Sequence, residues 1–157
     1  MPCEDVKPNE VKDLIRLLEE ELAASPRRGI GLAAIQICVP KKAAIIRINE
    51  TLRADLINCR IKNAYDLQLF QGEGCLSIPD KTVDTMRYNE IHVVDNDLGF
   101  PSAFISQGLF AVAIQHEIDH YNSTLMLERS VNQSKKKQRP NDPCICGSGK
   151  KQKRCCG

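Results

Sequence analysis

His116-Glu117-Ile118-Asp119-His120 sets two histidines four residues apart, with a glutamate directly after the first. On a helix, positions i and i+4 share a face, so both imidazoles can reach one divalent cation. Glu117 projects beside them, where it can take a proton from a water activated by the cation and pass it to a leaving group. Two of the chain's three histidines fall at this spacing, which argues against two core histidines met by accident. His92 stands alone in a strand-like run and reads as structural. A pair of this kind needs a third ligand and an open fourth position. Beyond His120 there is no histidine, and the acids are Glu128 and Asp142. Upstream, Gln71-Gly72-Glu73-Gly74-Cys75-Leu76-Ser77-Ile78-Pro79 offers Cys75, whose thiolate could be set against the helix. The chemistry this points to is metal-dependent hydrolysis of an amide.

The elements that must position these groups are legible in part. Residues 107–121 read as a helix with Leu109, Val112, Ala113, His116 and His120 on one face and Phe110, Ile114, Ile118 and Tyr121 on another. A helix apolar over most of its circumference is buried on several sides. It is therefore expected at the centre of an α+β domain, with short β-sheets wrapped around it. Residues 9–24 predict a second helix, with Val11, Leu14, Ile15, Leu18 and Leu22 on one stripe and Ser25-Pro26-Arg27-Arg28-Gly29 as its stop. Residues 43–49, 54–61 and 90–95 read as short strands. Gly72, Gly74 and Pro79-Asp80 read as punctuation, and Asn96-Asp97-Leu98-Gly99 as a hairpin turn.

The chain has 157 residues, 42% hydrophobic and 27% charged, which suits one globular domain with a small appendage. No apolar run approaches the roughly 18 residues of a membrane span. The first residues are acidic and polar and resemble no signal peptide, so the expected compartment is the cytosol. Thiols there stay reduced, and the eight cysteines need another explanation. Four of them crowd together as Cys144, Cys146, Cys155 and Cys156, a pattern that favours metal. Cys3, Cys38 and Cys59 read as structural or incidental. Charge is uneven as well. Residues 134–157 hold eight Lys/Arg against one acid, whereas the rest holds 14 against 19. A mildly acidic body thus carries a basic tail of the kind that seeks nucleic acid, and the ribosome is a candidate.

Three ordered motifs resemble those of the peptide deformylase family: Gly29-Ile30-Gly31-Leu32-Ala33-Ala34-Ile35-Gln36, Glu73-Gly74-Cys75-Leu76-Ser77 and Gln115-His116-Glu117-Ile118-Asp119-His120. Leu125-Met126-Leu127-Glu128-Arg129 resembles the stretch after the third. The resemblance implies that Cys75, His116 and His120 hold the catalytic metal, typically Fe2+, with Zn2+, Ni2+ or Co2+ able to replace it. It implies that water attacks the formyl carbon of a nascent N-formylated polypeptide, that Glu117 deprotonates it and then protonates the amine, and that the Gln36 amide and the Leu76 N–H hold the oxyanion. Gly29, Ile30, Gly31 and Gly74 would meet the substrate, the glycines by close backbone approach. Ile114, His116, Ile118, Ile30 and Leu76 are candidates for the methionine pocket. Asp119 is expected to pair with Arg87. The chain departs from the family at Ile35, at Cys59 after Asn58, at Tyr121 and at Ser123, and in the helix that usually follows the third motif.

Residues 141–157 resemble the SEC-C motif, which implies a structural zinc held by Cys144, Cys146, Cys155 and Cys156. The expected organisation is a catalytic domain over 1–130, a basic linker over 131–140 and a zinc-binding tail over 141–157. Two rival readings remain, a zinc-dependent peptidase built on the same helix and a non-catalytic adaptor acting through the tail. No membrane and no specific DNA target is expected. The resemblance fits a bacterial protein, or a phage-encoded one acting in a bacterial host.

Overall fold

The first helix, α1 (Val11–Ala24), forms where the apolar stripe predicts it. A 3-10 turn, Pro8–Glu10, leads into it, and Glu10 Oε2 accepts the Lys7 N–H at 2.7 Å. It ends at Ala24 because Ser25 precedes a proline and is driven extended, at φ −59° and ψ 128°. Leu14 and Leu18 are its buried residues. The computed structural model describes residues 2–131, Asn141 and 151–154. The four tail cysteines and residues 132–140 of the expected linker lie outside the described residues.

Two three-stranded antiparallel sheets follow. The first orders β1 (Gly31–Ala33), β2 (Ala43–Arg47) and β3 (Arg53–Ile57). The second orders β4 (Arg60–Cys75), β5 (Ile78–Val94) and β6 (Phe104–Gln107). The second helix, α2 (Gly108–Tyr121), lies between them, and Ala111 through Tyr121 are all buried. This is the expected central helix in an α+β fold. The run Ala43-Ala44-Ile45-Ile46 is apolar throughout because the first sheet is covered on both faces. Ala43 and Ile45 join Leu14, Leu18, Leu32 and Ile57 under α1. Ala44 and Ile46 join Leu56, Ile91, Val93, Ile114, Ile118 and Tyr121 against α2.

The strand readings need correction. The expected strand 54–61 is two strands in different sheets. The chain turns at Asn58, at φ 53°, whose side chain bonds the Val6 N–H at 2.8 Å and the Val6 carbonyl at 2.9 Å. The expected strand 90–95 is the end of a 17-residue one. The long β4–β5 hairpin escaped notice because most of β4 is exposed, with Glu73 its one buried residue, and three register shifts interrupt the pairing. Gly72, Gly74, Pro79 and Asp80 lie inside this hairpin and do not end its strands. The 96–99 turn does join two antiparallel strands, but as part of a longer loop with a cis Phe100–Pro101 peptide.

Three of the departures have structural counterparts. The Tyr121 hydroxyl donates to the Cys59 carbonyl at 2.9 Å, so two of them meet in the core. At the end of α2, Ser123 N–H bonds the His120 carbonyl and Thr124 N–H the Asp119 carbonyl, a Schellman closure with Ser123 left-handed at φ 61°. That conformation favours glycine, which explains why a serine there stands out.

Candidate metal centre and cleft

Helix α2 and the last residue of β4 bring the triplet together. His116 and His120 present their Nε2 atoms 3.0 Å apart, and Cys75 Sγ stands 3.4 Å from His120 Nε2. One ligand atom from each of the three lies within 4.8 Å of the others. Ligands of a tetrahedral ion at metal distances of about 2.1–2.3 Å sit roughly 3.4–3.7 Å apart, so the cage needs only slight expansion to hold one.

The register shift between Phe70 and Glu73 turns Glu73 inward, leaving it 4% exposed. Its Oε1 lies 2.6 Å from His116 Nδ1, which fixes the imidazole with Nε2 directed at the cage. Arg87 donates to Glu73 Oε2 at 2.9 Å and Oε1 at 2.6 Å, and to Asp119 Oδ2 at 2.7 Å. Asp119 also accepts two bonds from Arg129, at 2.7 and 2.6 Å. The expected Arg87–Asp119 pair is therefore the middle of a longer network that ends on His116. Glu73 and Arg129 had no assigned role in the sequence reading. The signal was available: an acid two residues before the cysteine that is buried must be paired.

Electrostatics suit a cation. Burial pushes the Cys75 thiol up, but its contacts with His116 and His120 outweigh this and hold it down at about 5. Burial disfavours the His116 imidazolium, yet Cys75 and Glu73 raise it to about 10. Burial acts against the Glu73 carboxylate, and His116 and Arg87 bring it down to about 2. Glu117 is pushed up to about 7 by complete burial, only partly offset by the two imidazoles. Its Oε2 has no hydrogen-bond partner. A thiolate, two imidazoles and an orphaned carboxylate oxygen beside them fit a divalent metal with an open position.

The triplet opens on a cleft of about 490 Å³. Gly29, Ile30, Gly31, Gly74, Cys75, Leu76, His116 and Glu117 line it. Ile114 and Ile118 do not. They lie on the opposite side of α2 and fill the core between the sheets. Phe70, Leu109, Val112 and Ala113 supply the cleft's apolar wall in their place. A Cβ on Gly31 would stand 2.4 Å from Glu117 Oε1, and one on Gly29 2.4 Å from Leu76 Cδ1. Both glycines leave room for the protein's own side chains. Gln36 Oε1 accepts the Ala33 N–H at 2.8 Å, which aims its amide group at Ser77 Oγ, 2.8 Å away, and Cys75 Sγ, 3.6 Å away. His92 bonds Glu90 and packs on Tyr65, away from the triplet. Among the described residues, Cys3 and Cys59 are buried and Cys38 is exposed.

A wrapped helix that brings two histidines and a carboxylate against a strand's cysteine defines a metal-dependent hydrolase. Residues 1–137 match the family described as polypeptide deformylase, and residues 141–157 match the SEC-C motif. A peptide deformylase of Heliobacterium modesticaldum is 40% identical over 107 residues, covering 67% of this chain and 69% of that one. A Synechococcus elongatus peptide deformylase, solved with actinonin, superposes with a TM-score of 0.75 at 36% identity, covering 85% of this chain and 74% of that one. A probable peptide deformylase from Synechococcus phage S-SSM7 gives 0.72 at 29% identity, covering 82% and 90%. The chain belongs to the polypeptide deformylase family. Its chemistry is the metal-dependent hydrolysis of a linear amide. No helix among the described residues is long and apolar enough to cross a membrane.

Proposed function

We propose that the chain removes the N-formyl group from the amino-terminal methionine of newly made polypeptides, releasing formate. The observation that carries this is the buried Glu117 Oε2, left without a partner beside the Cys75–His116–His120 cage. Those three residues would hold one divalent cation, which when bound acidifies water and polarises the formyl carbonyl. Ferrous iron is the metal we favour, with zinc, nickel or cobalt as substitutes. Glu117 takes the proton of the attacking water and returns it to the departing amine nitrogen. Gln36 Nε2 and the Leu76 N–H donate to the oxyanion. The apolar wall of Phe70, Leu109 and Val112 with Ile30 receives the methionine side chain and keeps water from the formyl group.

Within the tail, Cys144, Cys146, Cys155 and Cys156 would hold a structural zinc, with the basic residues around it meeting the ribosome. Residues 1–130 would be the catalytic domain and 131–140 the linker. The bacterial and phage relatives support action in a bacterial cytoplasm. The test is anaerobic purification, metal analysis, and formate release from a formyl-methionyl peptide by the intact chain and by Glu117→Gln. Hydrolysis by the iron-loaded protein and none by the variant supports the reading. Full activity in Glu117→Gln, or an inert iron-loaded protein, overturns it. Cys75→Ala separates this reading from a zinc peptidase, because it removes the catalytic metal only if the thiolate is a ligand.

A further inference from the structure

The rim of the cleft carries charges that the reaction does not use. Arg27, Arg28, Asp80 and Lys81 all line the cavity that leads to the triplet. Arg27 and Asp80 neutralise each other across the mouth through a two-pronged pair at 3.0 and 3.1 Å. The acids deeper in the cleft are not available to the rim cations. Glu73 is bound by Arg87 and His116, and Glu117 is buried beside the two imidazoles. Among the described residues, neither Arg28 nor Lys81 has a carboxylate within ion-pair distance. Both side chains are exposed, one on the loop before β1 and the other on β5. Among the described residues, the mouth therefore holds two positive charges without an ion-pair partner, one on the loop before β1 and the other on β5. A polypeptide whose formyl-methionine sits at the triplet must leave through this mouth, so its next residues pass between the two cations.

We propose that Arg28 and Lys81 form a cationic subsite that favours formylated chains carrying Asp or Glu in the residues directly after the formyl-methionine. The proposal rests on the deformylase reading and specifies its substrate. Opposite charges facing each other at an open mouth contribute modestly, and salt screens them. Two such pairs gained with an acidic substrate, and two repulsions met with a basic one, amount to about tenfold in kcat/KM at low salt.

The experiment measures kcat/KM of the metal-loaded full chain on formyl-Met-Ala-Ala-Ser, formyl-Met-Glu-Glu-Ser and formyl-Met-Lys-Lys-Ser at low and at high ionic strength. The wild type is expected to prefer the acidic over the basic peptide by about tenfold at low salt, and by about twofold at high salt. The double variant Arg28→Glu/Lys81→Glu should invert the order, whereas Arg28→Lys/Lys81→Arg should keep it. Acidic and basic peptides turned over within twofold of each other at low salt would overturn the proposal while the alanine peptide still reports deformylation. A preference that survives the charge reversal overturns it as well, since the discrimination then lies elsewhere. If none of the three peptides is hydrolysed, the deformylase reading fails first and takes this subsite with it.

Discussion

At the scale of the residue, Glu117 is held in tension between function and stability. Its carboxyl rises to about 7 in the metal-free fold, above the ordinary value near 4.5. A raised acid binds more protons folded than unfolded, so its contribution is lost as pH climbs from about 4.5 through 7. Metal-free Glu117→Gln should therefore withstand more urea at pH 8 than the wild type, while the loaded variant is inactive; equal midpoints would contradict the raised pKa. Gly31 is tied to the same carboxylate. Gly31→Ala puts a Cβ 2.4 Å from Glu117 Oε1 and should lower kcat on the order of 10²-fold through misplacement of the base, with bound metal unchanged in elemental analysis. The cage itself makes a prediction about protons. Without metal, Cys75 is down at about 5 and His116 up at about 10. At pH 7.5 the thiolate is thus already ionised and the imidazole still carries its proton. Loading should release about one proton, read from titration calorimetry in two buffers of different ionisation heat.

At the scale of the element, α2 is defined by what each face meets. Its His116 face opens on the cleft, its Ile114 face fills the core, and Asp119 is clasped by Arg87 and Arg129. Arg87 is 3% exposed between two carboxylates. Arg87→Met leaves Glu73 and Asp119 with a lost partner and should cost about 3–5 kcal/mol in denaturant unfolding. Glu73, brought down to about 2, gives the opposite pH signature to Glu117. A lowered acid stabilises the fold above about 4.5, and that contribution disappears as pH falls toward 2. The urea midpoint of metal-free wild type should drop steeply across that acid range, and Glu73→Gln should flatten the drop. The end of α2 offers a gain instead. Ser123→Gly relieves a left-handed serine and should raise stability by about 0.5–1 kcal/mol, measured as a higher thermal midpoint. The helix itself was readable from sequence, since eleven buried residues in a row demand an apolar surround. The β4–β5 hairpin was not, because β4 buries Glu73 alone and so lacks the apolar alternation that marks a half-buried strand, and three register shifts interrupt its pairing.

At the scale of the whole molecule, the wrapped helix is a scaffold whose two sheets seal opposite sides of one hydrolytic centre. Residues 141–157 match the SEC-C motif, beyond the 1–137 that match the deformylase family. A chain truncated after Val131 should keep the catalytic metal and its hydrolysis of formyl-methionyl peptide while losing one zinc per chain, read by native mass spectrometry. Loss of both metals would show that the two units depend on each other.

Local spacing was enough to find the two histidines and the glutamate beside them, because helix geometry alone puts i and i+4 on one face. Cys75 was only a candidate by that reasoning, and its place as third ligand rested on the resemblance of Glu73-Gly74-Cys75-Leu76-Ser77 to the family's second motif. The apolar wall of the cleft, the inward turn of Glu73 and the use of Gly31 as room for Glu117 depend on groups that local spacing does not relate. Only packing brings them together: a register shift in β4 decides which side of the sheet Glu73 takes, and the seating of α2 decides that Val112 faces the cleft while Ile114 faces the core.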